Sequence, residues 1–204
     1  MDAEDWDRRY AAEELVWSAG PNRFVAEELA GLTPGRALDL AAGEGRNALW
    51  LAEQGWRVDA VDWSAVGLDK ARRAAAARGV ELTAVQADVT AYHPEPGAYD
   101  LALVSYLQLP APQLRTVLRA ALTAVRSGGV LFLIAHDLRN LTEGSGGPQD
   151  PEVLTTPEAV TAVWSGGARI ERAETVRRDV NPQAGHGGEA GRPALDTLVR
   201  AVRT

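Results

Sequence analysis

The sequence predicts one α/β domain: a doubly wound, mostly parallel sheet that ends in an antiparallel hairpin, with an N-terminal helical cover. Three observations indicate this fold. Short apolar runs alternate with helical patterns from residue 36 to residue 135, as in parallel sheets with right-handed crossovers. Two long strand-like runs replace that alternation near the C-terminus. The 204 residues suffice for a single domain, 1–204, with its own buried core.

Residues 1–32 are predicted to form a helical lid. A first helix is expected over residues 2–17, and a second over residues 21–31. Three aromatic side chains share one face of the first helix because of their spacing: Trp6, Tyr10 and Trp17. Such a face packs on the core or covers a ligand, and one helix can do both.

Residues 33–136 are predicted to form the core of the sheet. Its five apolar strands are expected over residues 36–40, 57–62, 80–85, 99–104 and 130–135. The connecting helices are expected over residues 44–55, 65–78 and 111–126. Ser64 is the expected N-cap of the 65–78 helix, and Gly79 is expected to end it.

Residues 137–204 do not continue the alternation of strands and helices, and they are predicted to form the substrate side of the domain. The elements expected here are a loop over 138–152, a helix over 156–164, and strands over 168–180 and 194–203. A hairpin that closes the sheet is the natural arrangement of the last two strands.

Composition excludes several kinds of site. The chain has no cysteine and a net charge of −7, so disulfides and thiolate ligands are impossible and duplex nucleic acid is not an expected partner. Lys70 is the single lysine, which rules out a lysine-dependent phosphate loop. The three histidines are too scattered to predict a metal site. The acidic N-terminus and the absence of long apolar runs predict a cytoplasmic protein without a signal peptide or membrane partner.

The chemistry is concentrated between residues 36 and 64. Gly43, Gly45 and Ala48 form a G-x-G-x-x-A turn between a strand and a helix, and Asp62 ends the next strand. Such a turn lets a ligand approach the backbone, and the acid can bind both ribose hydroxyls. The segment therefore predicts a nucleoside ligand with an attached anionic group.

Two carboxylates favour one kind of nucleoside. Asp39 precedes the turn and Glu44 lies within it, and both would repel a pyrophosphate. A ligand with a cationic ammonium and sulfonium, such as S-adenosylmethionine, suits them better. A nicotinamide-dependent oxidoreductase that uses the G-x-G-x-x-A turn remains an alternative, as does a non-catalytic nucleoside-binding domain.

Three motifs closely resemble the class I S-adenosylmethionine-dependent methyltransferases: Asp39-Leu-Ala-Ala-Gly43-Glu-Gly45-Arg46-Asn47, Val61-Asp62-Trp63-Ser64 and Ala87-Asp88-Val89. Trp6-Asp-Arg-Arg-Tyr10 and Trp17-Ser-Ala-Gly-Pro21-Asn22 resemble its tellurite-resistance and thiopurine methyltransferase-like branch. The resemblance covers residues 5–135 strongly and 136–204 more loosely. It implies a Rossmann-like, seven-stranded sheet, S-adenosylmethionine as cofactor with S-adenosylhomocysteine as product, no metal, and a monomer or homodimer.

The resemblance also implies roles for individual residues. Asp39 would organise the methionine ammonium, and Arg46 would lie near the methionine carboxylate. Asp62 would bind the ribose diol. The adenine would contact Trp63, Asp88 and the backbone amide of Val89. The remaining cofactor-binding candidates are Tyr10, Ala41, Gly43, Gly45 and Ser105. Ala41 replaces the family's usual glycine, and alanine adopts a positive φ only at a cost.

The methyl acceptor is expected to be a small molecule: a thiol, a selenium or tellurium oxyanion, or an aromatic hydroxyl. A base is needed only if the acceptor carries a proton. The resemblance makes His186, Arg192 and Tyr106 the catalytic candidates, although Gly187 follows His186 where the branch has arginine. The His186 segment is otherwise a solvated loop. His136 either points into the cleft or is a hydrogen-bonded residue at a strand end.

Overall fold

The computed structural model describes residues 3–12, 20–179 and 192–204. Within them the strands are β1 (Arg36–Leu40), β2 (Arg57–Asp62), β3 (Leu82–Gln86), β4 (Tyr99–Ser105), β5 (Val125–His136), β6 (Ala168–Arg178) and β7 (Ala194–Arg203). The helices are α1 (Ala3–Ala12), α2 (Arg23–Leu29), α3 (Arg46–Glu53), α4 (Ala65–Arg78), α5 (Ala111–Ala124), α6 (Asn140–Glu143) and α7 (Pro157–Trp164). A 3₁₀ turn covers Pro151–Val153.

All seven strands belong to one sheet in the order β3-β2-β1-β4-β5-β7-β6. The first five strands pair in parallel, and β7 pairs antiparallel with both β5 and β6. The predicted doubly wound sheet with a terminal hairpin is therefore confirmed. The strand order reverses direction between β1 and β4, which is where open α/β sheets bind ligands.

Helices cover both faces of the sheet. On one face α2 and α3 pack on β1, β2, β4 and β5 through Phe24, Val25, Leu29 and Leu51. On the other face α5 and α7 close the core, and Trp164 is fully buried. The indole nitrogen of Trp164 donates a hydrogen bond to the Leu118 carbonyl at 3.0 Å, so this bulky side chain joins α7 to α5.

The caps predicted for α4 are confirmed. The Ser64 hydroxyl accepts a hydrogen bond from the Gly67 amide at 3.0 Å, and Gly79 ends the helix with a φ of 67°. Two other predicted helices were too long. The Asn22 side chain caps α2 by accepting from the Phe24 amide, so this helix begins at Arg23. Gly45 has a φ of 77°, so α3 begins only at Arg46.

Other boundaries differ by a few residues. Strand β5 begins at Val125, not at residue 130, because Val125 pairs with Tyr99 before a register shift; α5 accordingly ends at Ala124. The expected loop over 138–152 contains α6 and the 3₁₀ turn. Residues 13–19, which include Trp17, lie outside the described residues. Among the helices that are described, none has both the length and the apolar character that a bilayer crossing requires.

Candidate functional site

A cavity of about 300 Å³ opens at the carboxyl ends of β1, β2 and β4. Most of the predicted site residues lie in its wall: Tyr10, Ala41, Gly43, Arg46, Asp62, Trp63, Asp88, Val89, Ser105 and Tyr106. Asp39 and Gly45 belong to the same turn but lie behind this wall. The cavity thus occupies the position at which this sheet topology places ligands.

The turn after β1 is held against the end of β2. The amides of Ala41 and Ala42 both donate to the Val61 carbonyl, at 2.9 and 3.0 Å. Gly43 has a φ of 57°, and a Cβ there would lie 2.5 Å from the Tyr10 hydroxyl. Ala41 has a φ of 66°, a left-handed conformation that costs a residue with a Cβ about 1–2 kcal/mol. Alanine therefore adopts the backbone shape for which glycine is better suited.

The carboxylate of Asp39 is the least satisfied polar group of this turn. Its side chain is 1% exposed, and neither carboxylate oxygen has a hydrogen-bond partner among the described residues. Burial, together with repulsion from Asp62, raises the pKa of Asp39 to about 7, although the Arg46 cation and the Ala48 backbone amide both lower it. A buried carboxylate in this condition is suited to a cationic group. This fits the ammonium of S-adenosylmethionine and disfavours a pyrophosphate.

Asp62 is also buried, but backbone amides stabilise its carboxylate. Its two oxygens accept hydrogen bonds from the amides of Gly43 at 2.8 Å and Ser64 at 2.9 Å. Burial raises the pKa of Asp62, and these amide bonds offset part of the rise. Each carboxylate oxygen has two lone pairs, so one acceptor site per oxygen remains for a vicinal diol such as that of ribose.

Helix α1 closes this side of the cavity. Tyr10 is 5% exposed, and its ring stacks on Trp6 with a centroid distance of 5.5 Å. The carboxylate of Asp7 accepts hydrogen bonds from the Ser64 hydroxyl and the Val66 amide. These bonds fix α1 to the N-terminus of α4, and two aromatic residues of α1, Trp6 and Tyr10, line the cavity.

The residues predicted to contact adenine line the cavity beyond Asp62. Asp88 is exposed, and its Oδ1 accepts from both the amide and the hydroxyl of Thr90 at 2.8 Å. Val89 is buried, and Trp63 is half-buried. Asp88 thus retains its second oxygen, Oδ2, as an acceptor.

A polar cluster occupies the opposite end of the cavity, around Tyr106. The Tyr106 hydroxyl donates a hydrogen bond to the Asp196 carboxylate at 2.8 Å and accepts one from the side-chain amide of Asn22 at 3.1 Å. Arg178 donates to the same Asp196 oxygen at 2.7 Å. His136 also lines the cavity, and its Nδ1 lies 3.3 Å from the other Asp196 oxygen.

The sequence-based reasoning missed Asp196 and Asn22. The available signal was a carboxylate inside an otherwise apolar strand, Ala194-Leu-Asp-Thr-Leu-Val199, because a buried acid needs partners. Tyr106 takes a φ of 51°. Ala41 and Tyr106 are the non-glycine residues with positive φ in the described chain, and both line the cavity.

One predicted catalytic residue, Arg192, lies away from the cavity. Arg192 is exposed, is absent from the cavity wall and donates to the Thr142 carbonyl at 2.6 Å. His186 lies outside the described residues. Ser105 does line the cavity, and its hydroxyl accepts a hydrogen bond from the Asn47 amide at 3.1 Å. Across the ranges that the structure describes, no group of three metal-ligating side chains occurs.

Known proteins with similar sequences are methyltransferases. Residues 37–129 match the family model described as a methyltransferase domain. The tRNA 5-carboxymethoxyuridine methyltransferase of Escherichia coli strain K12 is 33% identical over 52% of this chain and 42% of its own length. The chain spans 33% to 45% of the length of the curated relatives that it matches.

Solved structures extend the similarity of fold to almost the whole chain. One, described as the conversion of a disulfide bond into a thioacetal group during echinomycin biosynthesis, has a TM-score of 0.76 and 24% identity over 98% of this chain and 92% of that one. TehB from Haemophilus influenzae has a TM-score of 0.72 and 13% identity over 90% of this chain and 63% of its own. The matched family model covers residues 37–129, which is just under half of the chain, and the similarity of fold to the solved structures covers most of the rest.

Proposed function

We propose that this chain transfers a methyl group from S-adenosylmethionine to a small-molecule acceptor. The observation that carries the proposal is the unpartnered, buried carboxylate of Asp39 beneath a turn that Asp62 holds in place. That pair matches a ligand with a cationic amino-acid tail and a ribose. A dinucleotide would bring a diphosphate to the same turn, next to a carboxylate.

The proposed cofactor-binding residues follow one another along the cavity in the same order as the methionine, ribose and adenine parts of the ligand. Asp39 and Arg46 would take the amino and carboxylate groups of the methionine part. Asp62 would take the ribose diol, and Trp63 and Asp88 would contact the adenine. Tyr10 would cover the ligand from α1. When bound, the cofactor supplies a methyl group on a positively charged sulfur, which is an excellent leaving group.

The protein then needs to align the acceptor and exclude water. The cluster of Tyr106, Asn22, Asp196 and Arg178 fixes the end of the cavity opposite Asp62. Arg46 and Arg178 lie with their guanidinium carbons 5.8 and 5.5 Å from the Tyr106 ring centre. This end is polar and joined by hydrogen bonds, which favours a compact acceptor. The tellurite-resistance and thiopurine methyltransferase-like branch is the proposed place of the chain within the class.

A nucleic-acid acceptor is the second candidate, since a relative acts on tRNA. The net charge of −7 argues against it, because a protein that binds the phosphate backbone needs a basic face.

Methyl transfer with labelled cofactor tests the proposal. Purified protein is incubated with S-adenosylmethionine carrying a radiolabelled methyl group and with separate panels of thiols, chalcogen oxyanions, phenols and bulk tRNA. We expect label in one of the small-molecule panels and none in tRNA. In parallel, S-adenosylhomocysteine should raise the melting temperature, and NAD⁺ should not. Stabilisation by NAD⁺ alone, or label in tRNA alone, would contradict the proposal.

A further inference from the structure

His136 is held rigidly at the acceptor end of the cavity. It ends β5, lines the cavity and is 11% exposed. Its ring centre lies 4.8 Å from that of Tyr106. On another side, a Cβ at Gly147 would lie only 3.0 Å from the His136 Nδ1 and Cε1 atoms. These two neighbours restrict the imidazole ring on two sides.

Asp196 faces one nitrogen of this ring. The two residues are register partners on β5 and β7, and the His136 Nδ1 lies 3.3 Å from the Asp196 Oδ1, within ion-pair distance but without hydrogen-bond geometry. Burial would raise the pKa of Asp196, but the contacts with His136 and Arg178 outweigh it and hold that pKa below its usual range. Asp196 is therefore ionised at neutral pH. A carboxylate in this place favours a proton on Nδ1 and leaves the Nε2 lone pair available.

The neighbouring groups cannot accept a proton in its place. Tyr106 donates its hydroxyl to Asp196, and burial together with that carboxylate raises the pKa of Tyr106. Arg178 stays charged, since its contacts with Tyr106 and Asp196 outweigh burial and raise its pKa. Asp137, next to His136 in the chain, faces away into a network with the hydroxyls of Thr175 and Thr197.

The remaining carboxylates of the cavity are either held or distant from this end. Asp62 binds two amides at the opposite side, and Asp88 binds Thr90 beyond it. Asp179 is exposed at the rim. Among the described residues that line the cavity, His136 is the one whose ring is restricted by its neighbours, faces a carboxylate and lies next to the Tyr106 ring.

We infer that His136 is the general base of methyl transfer, oriented by Asp196, and that the acceptor is a thiol or phenol that carries its proton at neutral pH. The inference rests on the proposed function. The acceptor sulfur or oxygen forms a bond to the methyl carbon, and the methyl–sulfur bond of the cofactor breaks with its electron pair left on sulfur. The acceptor's proton passes to Nε2 of His136 and then to solvent. Asp196 is a positioning residue in this scheme.

The tautomer of His136 tests the geometry without any cofactor. Two-dimensional ¹H–¹⁵N NMR of histidine-labelled protein, assigned by the loss of one signal in His136→Gln, distinguishes the two neutral tautomers. We expect the proton on Nδ1 in the native chain at alkaline pH. A proton on Nε2 would overturn the inference whether or not the protein methylates anything.

Kinetics test the role in proton transfer. The thiol probes are benzyl mercaptan, which is protonated at neutral pH, and 4-nitrothiophenol, which is ionised. The phenol probes are 4-methoxyphenol, which is protonated, and 2,4-dinitrophenol, which is ionised. His136→Gln should lower kcat/KM for the protonated members by about 100-fold or more, and for the ionised members by less than about threefold. His93→Gln, at an exposed loop position, is the matched control and should behave as the native chain.

The outcomes separate this inference from the proposed function. Native protein that fails to bind S-adenosylhomocysteine contradicts the proposed function itself. Native protein that binds it but methylates none of the protonated probes contradicts the acceptor class inferred here. Equal losses for protonated and ionised probes, with a normal melting temperature, would show that His136 acts in packing and not as a base.

Discussion

The carboxylate of Asp62 accepts a hydrogen bond from the backbone amide of Gly43 over 2.8 Å. This bond joins the end of β2 to the turn that follows β1, and a second bond, from the Ser64 amide, fixes the other carboxylate oxygen. One side chain therefore shapes the turn and presents two oxygen acceptors to the cavity. In the proposed binding mode, cofactor binding is therefore coupled to the local structure of the turn.

Replacement of Asp62 should test this coupling. Asp62→Ala should weaken S-adenosylhomocysteine binding by about 1–3 kcal/mol, because hydrogen bonds to the ribose are lost. Asp62→Asn should weaken it less, since one acceptor oxygen remains. Isothermal titration calorimetry measures both. Asp100→Ala, which removes a carboxylate paired with Arg126 outside the cavity, is the control and should leave the affinity unchanged. Native affinity in Asp62→Ala would refute the assigned role.

Replacement of Asp39 should affect stability and binding in opposite directions. Its pKa is raised from 3.8 to about 7, so the folded state takes up a proton more readily than the unfolded chain. The penalty for this buried charge grows as the pH rises from 3.8 and is complete above 7. Asp39→Asn should therefore raise the free energy of unfolding at pH 8 by about 1 kcal/mol, while weakening S-adenosylhomocysteine binding at least about tenfold.

Asp59→Asn is the matched control for Asp39→Asn. Asp59 accepts from Tyr99 at 2.6 Å and from Arg36 at 2.8 Å, and it is not part of the cavity wall. Its replacement should lower the free energy of unfolding in urea and leave cofactor binding intact. Destabilisation by both variants would mean that Asp39 is an ordinary structural carboxylate.

Cofactor affinity should depend on pH near neutrality. An ammonium group binds the ionised form of Asp39, whose pKa is about 7 in the free protein. The affinity for S-adenosylhomocysteine should rise as the pH increases through 7 and level off near pH 8. At pH 7 about half a proton should be released per ligand bound, which calorimetry in buffers of different ionisation enthalpy measures. No proton release, together with a flat affinity from pH 6 to 8, would contradict the assignment.

Ala41 should be a site at which glycine stabilises the fold. Its φ of 66° is strained for alanine, so Ala41→Gly should raise the free energy of unfolding by about 1 kcal/mol. Ala42 has no positive φ, and Ala42→Gly should lower the same quantity by about 0.5 kcal/mol through chain entropy. Urea denaturation of the two variants gives the comparison. A loss of stability in Ala41→Gly would show that the left-handed turn is not strained in solution.

The local parts of the fold could be predicted because their signals lie within a few residues of one another. Ser64 and Gly79 mark the ends of α4 through capping and positive φ, and one short motif, residues 39–45, predicted the turn beside which the cavity lies. The acceptor side could not be predicted in this way. Tyr106 and Asp196 are 90 positions apart and meet only because β7 pairs antiparallel with β5. The periodicity of apolar residues along the sequence does not predict this long-range contact.

The state of Asp39 was likewise beyond sequence reasoning. The motif predicted a carboxylate near the ligand, but not that both of its oxygens would lack a partner in the described chain. That property follows from complete burial behind the turn, which depends on the packing of α3 and β4 around β1. It is also the property that distinguishes a cationic ligand from a diphosphate.

A crystal structure of the protein with S-adenosylhomocysteine is the decisive test of the proposed binding mode. We expect the ligand's amino group to lie within hydrogen-bond distance of Asp39, directly or through one water molecule, and its ribose hydroxyls to contact Asp62. A ligand bound elsewhere, or a cavity that takes up a dinucleotide and leaves S-adenosylhomocysteine in solution, would contradict it.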